Sequence, residues 1–414
     1  LRGYRRFWAA EAERIGGMDL YGVSAQLPRG YLKAKWDYGW LRASQRFNTY
    51  GERGPVINPL RFDADLNGDG VLERIVDVDL NVGGQGHGHT FQFSYGITDP
   101  LDFYMELPFT AMDLRLSPTV TAVDDAGNMI DPTVAGVLGV DPQTFGVEEL
   151  LYTAFPALGR PAPATGYDGD WLLGDINAGF SWNPYRSKHF SAAWTNRVFF
   201  PTGRVPNPES SLTYATGPQP EIGIGGWGIG TTTGYDLKLA QIGYYFGAVL
   251  STEFGMSYFF PQERDYPTNF VEPSAAAALV GASQFPDLSD LEGTFNYTPG
   301  LGTSWNAQLN MSSLIFGLGF GYGVRHSQKP ILEGDPAFVG MVNAFELLGA
   351  QTTQEAMIGG SVVLIPLYIP ARLGIQRRFV VGGRDTLIYS DFWQFTIEAF
   401  APVGRLWERQ ARNP

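Results

Sequence analysis

Apolar and polar residues alternate with a period of two along most of this chain. In the first such segment Leu32, Trp36 and Trp40 stand at even positions, and Lys33 and Asp37 stand between them. Successive side chains of a β-strand point to opposite faces, so the pattern predicts strands with one apolar and one polar face. It predicts about 12 strands (10–14), placed at 31–47, 76–97, 101–117, 171–183, 188–200, 219–238, 241–255, 296–311, 313–327, 355–366, 371–382 and 389–402.

The connections between these strands alternate between long and short, except for a short last gap at 383–388. Long gaps include 118–170 and 256–295. The short gaps are Thr98-Asp99-Pro100, Asn183 to Ser187, Leu239-Ala240, a turn at Ser312, and Leu367 to Pro370. A soluble β-sandwich has no reason to collect its long loops at one end, whereas outer-membrane barrels have short periplasmic turns and long extracellular loops. The sequence therefore predicts an all-β fold, a transmembrane antiparallel up-and-down β-barrel in the bacterial outer membrane.

Short helices are predicted inside the long loops. Asp335-Pro336, followed by 337–348 and Gly349, has the N-cap, N1 proline and glycine stop of a helix, and Asp141-Pro142 precedes a similar run at 147–151. Residues 274–282 are alanine-rich. The apolar faces of these helices either cover each other and the barrel mouth or form a capture site for an apolar ligand.

Both ends of the chain extend beyond the predicted barrel, which covers residues 29–403. Residues 1–28, with a short helix at 4–15, form either a plug in the lumen or a periplasmic tail. Residues 404–414 form a C-terminal periplasmic tail and a contact for envelope protein partners, because Phe400, the aromatic residue that would end such a barrel, is followed by fourteen more residues.

Composition supports a membrane barrel and excludes several other classes. The 414 residues include 52 glycines, 14% aromatic residues and only 17% charged residues, against about 25% in ordinary soluble domains. A transmembrane helix needs about 20 mostly apolar residues in a row, and no stretch provides them. No cysteine is present, which excludes thiolate metal sites and covalent haem. The net charge is −13, which argues against nucleic acid as a partner. No GxSxG motif with a placed histidine occurs, so we predict no enzyme.

A short acidic loop predicts a bound calcium ion within residues 63–77. Oxygen-bearing residues stand at loop positions 1, 3 and 5, glycine stands at position 6, and a carboxylate stands at position 9, the spacing of loops that wrap Ca²⁺. Val76 replaces the usual glutamate at position 12, and Asp77 or Asp63 is the predicted substitute. The alternative is a turn without metal. The predicted ligands are Asp65, Asn67, Asp69, Val71, Glu73 and Asp77.

The polar strand faces predict a lumen lined by both signs of charge. Such charges either pair and fill space or line a polar path, and about 12 strands leave a bore suited to one small molecule. His87-Gly88-His89 is a possible metal pair, although two ligands do not complete a zinc site, and a polar strand rim is the simpler interpretation. The predicted lumen-lining residues are Lys33, Lys35, Asp37, Glu106, Arg197, Arg372, Arg378 and Glu398.

The middle third of the chain resembles a known family. Gly174-Asp175-Ile176 opens one strand, Phe200-Pro201-Thr202-Gly203 closes the next, and Thr216-Gly217 precedes a glycine-rich strand. These motifs are similar to those of Gram-negative outer-membrane proteins of the phenol-degradation meta-pathway transporter type. The long helical loops look more loosely like long-chain fatty-acid transporters. The resemblance implies a barrel that passes hydrophobic small molecules.

Three functions remain open from the sequence. The first is passive transport of a small hydrophobic ligand, with membrane lipid and lipopolysaccharide as the surroundings. The second is a non-transporting structural subunit of a multiprotein envelope complex, such as motility machinery or a sleeve for a multihaem electron conduit. The third is a secreted calcium-binding β-protein.

Overall fold

Twelve long strands form one closed barrel in the computed structural model of the chain. The structure describes residues 22–66, 69–157, 159, 166–203, 224–242, 246–268, 270–273, 287–313, 315–344, 349–367 and 369–404. The barrel strands are β1 (Leu32–Phe47), β2 (Val82–Thr98), β3 (Leu101–Leu116), β4 (Asn177–Arg186), β5 (Phe190–Phe199), β6 (Gly228–Ile242), β7 (Phe246–Phe259), β8 (Gly302–Ser313), β9 (Phe316–Ser327), β10 (Gln351–Val363), β11 (Ala371–Arg384) and β12 (Thr386–Ala401).

Every barrel strand pairs antiparallel with the next one in the sequence, and the last pairs with the first. Lys35 of β1 lies opposite Glu398 of β12, and Glu106 of β3 lies opposite Asn177 of β4 across the longest connection. Closure leaves no strand edge, so the barrel satisfies its backbone hydrogen bonds internally, as a structure in lipid must. The predicted antiparallel up-and-down barrel of about 12 strands is confirmed.

The outer face of the barrel is apolar. Trp36 of β1 stands beside Phe91 of β2 and Ile397 of β12, and Phe91 is opposite Leu107 of β3. About 40% of the Phe91 side chain is exposed, which would be unfavourable in water at this density of aromatic residues. Residues on this face are therefore placed to contact lipid, and the polar residues between them face the lumen.

The two ends of the barrel differ in the length of their connections. Short turns join β2 to β3, β4 to β5, β6 to β7, β8 to β9 and β10 to β11, and both β1 and β12 have their chain-terminal ends on that side. All the long connections are at the other end. That end also has one short connection, the single residue Asp385 between β11 and β12. By the usual orientation of these barrels, the long connections are extracellular.

Three predicted turns were misplaced. Leu239 and Ala240 lie within β6, next to a register shift after Lys238, and the strand continues to Ile242. Asn183 belongs to β4, and Ser312 belongs to β8. In β6 the exposed apolar residue Ile242 follows the residues predicted as a turn, and in β4 the exposed Tyr185 lies among them, so the outward apolar face continues past the predicted strand ends.

The first two long connections build an extracellular lobe. The strands Leu60–Ala64, Glu73–Asp79 and Thr119–Thr121 form a small sheet that packs with helix α1 (Pro132–Leu138) around a core of Ile75, Val78, Ile130, Val134, Phe145 and Leu150. Helix α1 is capped by Asp131, whose carboxylate accepts hydrogen bonds from the Thr133 and Val134 amides. This helix was not predicted, although Asp131-Pro132 is the same signal as Asp335-Pro336.

The run at 147–151 is helical as predicted, but Asp141-Pro142 does not begin the helix. Asp141 accepts a hydrogen bond from the Gln143 amide in a turn, and the helical segment runs from Val147–Glu149 through a π-helical turn, Leu150–Ala154, to Phe155–Ala157. Its first turn is capped by Glu149, which accepts from the Gly146 amide at 3.0 Å.

A second extracellular lobe comes from the connections on either side of β8 and β9. The strands Gln262–Asp265, Thr294–Thr298 and Ile331–Glu333 form its sheet, and helix α2 (Pro336–Ala344) packs Phe338 and Val342 against Tyr266 and Phe295. Asp335 caps α2 as predicted. The apolar faces of α1 and α2 are thus buried within their own lobes, which supports the covering role rather than an open capture surface.

Two predicted helices, 4–15 and 274–282, lie outside the described residues. Among the described residues, no helix has the length and apolar character needed to cross a bilayer.

Candidate functional site: the barrel lumen

The strand register places all eight predicted lumen residues on the polar face of the barrel. Lys33, Lys35 and Asp37 alternate on β1, Arg372 and Glu398 are opposite each other on β11 and β12, and Glu106, Arg197 and Arg378 lie on β3, β5 and β11. Their role in permeation stays a prediction.

Most of these charges are paired. Lys35 Nζ lies 2.7 Å from Asp37, and Arg372 lies 3.5 Å from Glu398. Glu106 accepts a hydrogen bond of 2.9 Å from the Asn177 side chain. Mutual pairing lowers the cost of holding charge inside a narrow barrel, so these groups fill the lumen as much as they line it.

A charge cluster near the extracellular end was only partly predicted. Glu355 of β10 is buried and lies 3.6 Å from Arg378 and 3.7 Å from Arg325 of β9. Arg378 also donates to Gln394 at 3.1 Å. Arg325 and Glu355 were not among the predicted lumen residues, although the alternation of β9 and β10 marks both as inward.

Glycines on the inner face of β9 leave less space than their number suggests. A Cβ atom on Gly319 would lie 2.9 Å from both the Gln308 and Asn310 side-chain amides, because these amides lean over the glycine. The remaining pocket at this level, bounded also by Gly359 and Gly374, has a volume of about 70 Å³.

Two larger chambers lie nearer the extracellular mouth, in opposite sectors of the barrel. The apolar chamber has a volume of about 260 Å³ and lies between β1, β2, β3 and β12, with Leu41, Met112 and Phe392 among its lining residues. The polar chamber has a volume of about 360 Å³ and is lined by residues that include Arg197 and Arg325.

A further cavity, of about 630 Å³, is a groove on the outer wall. The register puts its side chains Phe180, Val198, Ile229 and Met256 on the lipid-facing side. It is therefore a contact surface for the bilayer rather than part of the lumen.

A segment preceding β1 enters the periplasmic end of the lumen, and we call residues 22–28 the strap. Asp236 of β6 accepts hydrogen bonds from the Val23 amide at 3.0 Å and the Ser24 amide at 2.8 Å, and from the Ser24 hydroxyl. Asp102 of β3 accepts from the Leu27 amide at 2.8 Å. The strap thus lies on the inner side of the barrel wall. Residues 1–21 are outside the described part of the chain, and the plug and periplasmic-tail interpretations of residues 1–28 stay predictions.

The resemblance motifs meet in space at the extracellular ends of β4 and β5. The Thr202 hydroxyl donates to the Gly174 carbonyl at 3.0 Å and accepts from the Ile176 amide at 2.8 Å. The Asp175 carboxylate accepts from the amides of Gly203 and Ile224. The motifs therefore clamp the ends of β4, β5 and the chain entering β6, a structural role that sequence spacing alone did not show. Thr216-Gly217 lies outside the described residues.

The predicted calcium loop is only partly described, because Asn67 lies outside the described residues. Asp65 accepts hydrogen bonds from the Asp69 and Gly70 amides, and Asp69 accepts from the amide of Val71. Glu73 accepts from the Leu66 amide. In the part of the chain that the structure describes, no three His, Cys, Asp or Glu side chains lie close enough together to hold a metal ion.

Asp77 stands apart from the turn. Its carboxylate lies 3.6 Å from Arg61 and 3.8 Å from Arg74, on the sheet of the first lobe. Calcium binding at 63–77 stays a prediction.

The two neighbouring histidines lie on the outer face of the barrel. His89 Nδ1 accepts a hydrogen bond from the Trp36 indole at 3.0 Å, and His87 Nδ1 bonds the Tyr38 hydroxyl at 2.8 Å. The His89 ring also packs 4.5 Å from that of Trp171. These contacts embed both imidazoles among aromatic side chains of the outer face.

Comparison with known proteins gives matches only at the level of structure. No family model matches the chain, and no curated protein matches it. The COG4313 outer-membrane channel from Pseudomonas putida F1 is similar over 92% of this chain and 98% of its own, at 9% identity and a TM-score of 0.51. This match shows that the two chains share a fold. This chain has the fold of an outer-membrane β-barrel.

Two further structures are less similar, with TM-scores below 0.5. The β-domain of the Bordetella autotransporter BrkA has 7% identity over 89% of this chain and 98% of its own, with a TM-score of 0.38. The Pseudomonas putida toluene transporter TodX has 10% identity over 90% and 89%, with a TM-score of 0.28. The predicted resemblance to outer-membrane channels is confirmed at the level of the fold.

Proposed function

We propose that this protein passes small hydrophobic molecules passively across the outer membrane. The apolar chamber carries the proposal. Leu41, Met112 and Phe392 put apolar side chains on the inner face of a barrel whose other inward residues are mostly polar, charged or glycine. Apolar surface that faces an otherwise polar lumen is costly unless something apolar covers it, and a small hydrophobic ligand would do so.

The chamber also has polar groups at one side. Asp37, Thr90, Thr110 and Gln394 share its lining, so a ligand with one polar substituent could be oriented there. From this chamber the route to the periplasm passes the paired charges of β1 and β12 and then the strap. A molecule crossing the barrel must displace the strap or move past it.

Uptake by intact cells tests the proposal, because the lipopolysaccharide layer is the barrier that a hydrophobic molecule meets. Cells producing the protein should take up radiolabelled toluene faster than cells without it. Met112→Asp, which puts a charge into the apolar chamber, should remove most of that gain. Ser304→Asp, which adds the same charge to the polar chamber, should not. Equal uptake with and without the protein would refute the proposal.

Purification distinguishes transport from the predicted alternative, in which the protein is a structural subunit of an envelope complex. Extraction from native outer membrane in mild detergent should yield the barrel without stoichiometric protein partners if transport is its function. Partners that remain bound in constant ratio would favour the alternative.

A further inference from the structure

We propose that Gln394 selects the cargo of the apolar chamber by its hydrogen-bonding group, so that the preferred molecule is a neutral hydrophobic compound with an oxygen atom that accepts a hydrogen bond, such as the carbonyl oxygen of a ketone. The inference rests on the proposed function, since it specifies which small molecules the chamber binds. It is carried by the contact of Gln394 with Arg378 and by the layered lining of the chamber.

The strand register divides the lining of the apolar chamber into levels. The apolar level lies nearer the extracellular mouth and consists of Phe392, Leu41, Gly86 and Met112. The next level toward the periplasm consists of Gln394, Gly39, Gly88 and Thr110. A hydrophobic molecule that fills the apolar level therefore places its periplasmic end beside the Gln394 side chain.

The two glycines of the lower level leave open space between Gln394 and Thr110. A Cβ atom on Gly88 would meet only the Phe109 carbonyl oxygen, at 3.7 Å, and one on Gly39 would make no contact shorter than 3.4 Å. Three strand spacings separate Gln394 from Thr110 along the wall, about 14 Å between their Cα atoms. A molecule the size of one aromatic ring fits between the two side chains.

Arg378 fixes the orientation of the Gln394 amide. The guanidinium of Arg378 donates to Gln394 Oε1 at 3.1 Å, and a guanidinium can only donate. The oxygen of the amide is therefore used, and the nitrogen is the free end of the side chain. Gln394 Nε2 makes no hydrogen bond to the described residues, so its N–H donors are available to a molecule in the chamber.

Arg378 is itself held from two sides. The carboxylate of the buried Glu355 lies 3.6 Å from it, and its guanidinium lies 5.3 Å from the ring of Phe392, another wall of the chamber. Arg378 is thus a positioning residue, which acts on the cargo through Gln394.

The acidic residue of the lining, Asp37, argues against an anionic cargo. Its carboxylate lies 2.7 Å from Lys35 and accepts a hydrogen bond from the Thr396 hydroxyl. These contacts occupy the carboxylate, and its negative charge repels an anion in the same chamber. The lining therefore favours a neutral molecule that accepts a hydrogen bond from Gln394.

Equilibrium dialysis of labelled ligands against the purified full chain in detergent tests the selection without requiring transport. Acetophenone only accepts hydrogen bonds, indole only donates them, and ethylbenzene does neither, while all three have the same number of carbon atoms. Each ligand is compared between the original chain and a variant, because its partition into the micelles cancels in that ratio.

Gln394→Leu should weaken acetophenone binding about fivefold, the factor for one net hydrogen bond, and leave indole and ethylbenzene unchanged. Gln394→Glu replaces the donors by acceptors, so it should weaken acetophenone and strengthen indole. Gln376→Leu is the matched control and should change none of the three, since Gln376 lies opposite Gln394 on β11 but lines the mid-lumen pocket.

Two further positions test the role of Arg378 and the location of the site. Arg378→Met frees the amide to turn and should weaken acetophenone but not ethylbenzene, and Arg378→Lys should restore acetophenone, because an ammonium group also only donates. Gly88→Leu fills the open space of the chamber and should weaken all three ligands. Heat-modifiable migration on gels verifies that each variant is a folded barrel.

Three results would overturn the inference: acetophenone binding that Gln394→Leu leaves unchanged, equal losses for all three ligands in that variant, or binding that Gly88→Leu does not weaken. Failure of the proposed function is distinct. It would appear as absent toluene uptake in cells, whatever the three ligands do in detergent.

Discussion

Release of the strap should open the periplasmic end of the lumen. Asp236 is completely buried and accepts two backbone amides and one hydroxyl from Val23 and Ser24. Asp236→Ala removes all three acceptor contacts at once. The strap would keep its other contacts with the wall: the Leu27 amide on Asp102, the Ser24 carbonyl on the Asn183 side chain, and the Gln26 side chain on Ser181.

The size of the effect follows from these bonds. A hydrogen bond to a charged group contributes about 1.5–3 kcal/mol, and bonds within one network are not additive. We therefore take about 3 kcal/mol as the loss for the three bonds together. Since about 1.4 kcal/mol corresponds to a factor of ten, the undocked fraction of the strap should rise by about a hundredfold.

Current through single barrels in a planar lipid bilayer measures this change. Asp236→Ala should show more frequent or longer open events than the original chain. Gly96→Ala provides an independent route, since its new Cβ would lie 2.8 Å from the Leu27 carbonyl and would push the strap away while both aspartates remain. Asp113→Ala is the control, because Asp113 bonds Gln85 on the outer face, away from the strap.

Hydrogen exchange at the Val23, Ser24 and Leu27 amides tells whether the strap has undocked. If both variants lose protection at these amides but conduct as before, the strap does not limit passage and the reasoning fails. If protection is unchanged, the hydrogen bonds contribute much less than the estimate above.

Three other predictions concern separate parts of the molecule. Millimolar calcium should raise the melting temperature and release or absorb heat in titration, and Asp65→Ala should abolish both; no heat from the original chain would refute the calcium site. Asp175→Ala should cost about 2 kcal/mol locally and speed hydrogen exchange at Gly203 and Ile224, with the exposed Asp170→Ala as control; unchanged exchange would contradict the clamp. Gln308→Ala should enlarge the mid-lumen pocket and raise single-channel conductance, and an unchanged conductance would place the constriction elsewhere.

The barrel could be predicted from the sequence because lipid and lumen impose opposite demands on alternate residues. Along β2 this produces Phe91 and Phe93 on one face and Gln92 and Ser94 on the other. The same signal misplaced the turn after β6, because Leu239 continues the apolar face and Ala240 suits either environment. A local pattern thus fixes the side of the barrel that a residue faces better than it fixes where a strand ends.

The lumen contacts could not be predicted, since they depend on closure. Glu355 receives Arg325 from one neighbouring strand and Arg378 from the other, and Asp236 receives a strap that precedes it by more than two hundred residues. No periodicity relates these positions. Only the register, set by twelve strands in succession, puts the charges at the same height.

The inward glycines show how the face that a residue occupies and the contacts made in the lumen together determine the width of the barrel. Inward glycines alone would leave room in the lumen, and the place of the β9 glycines on the inner face follows from the alternation. Yet the amides of Gln308 and Asn310 occupy the space above Gly319, because side chains on a neighbouring strand are free to lean where no Cβ opposes them. The width of the lumen at a glycine therefore depends on which neighbouring side chains occupy the space above it. At Gly319 the neighbours are two amides that narrow the passage, whereas at Gly230 the neighbour is Arg197, whose guanidinium is thereby directed into the polar chamber.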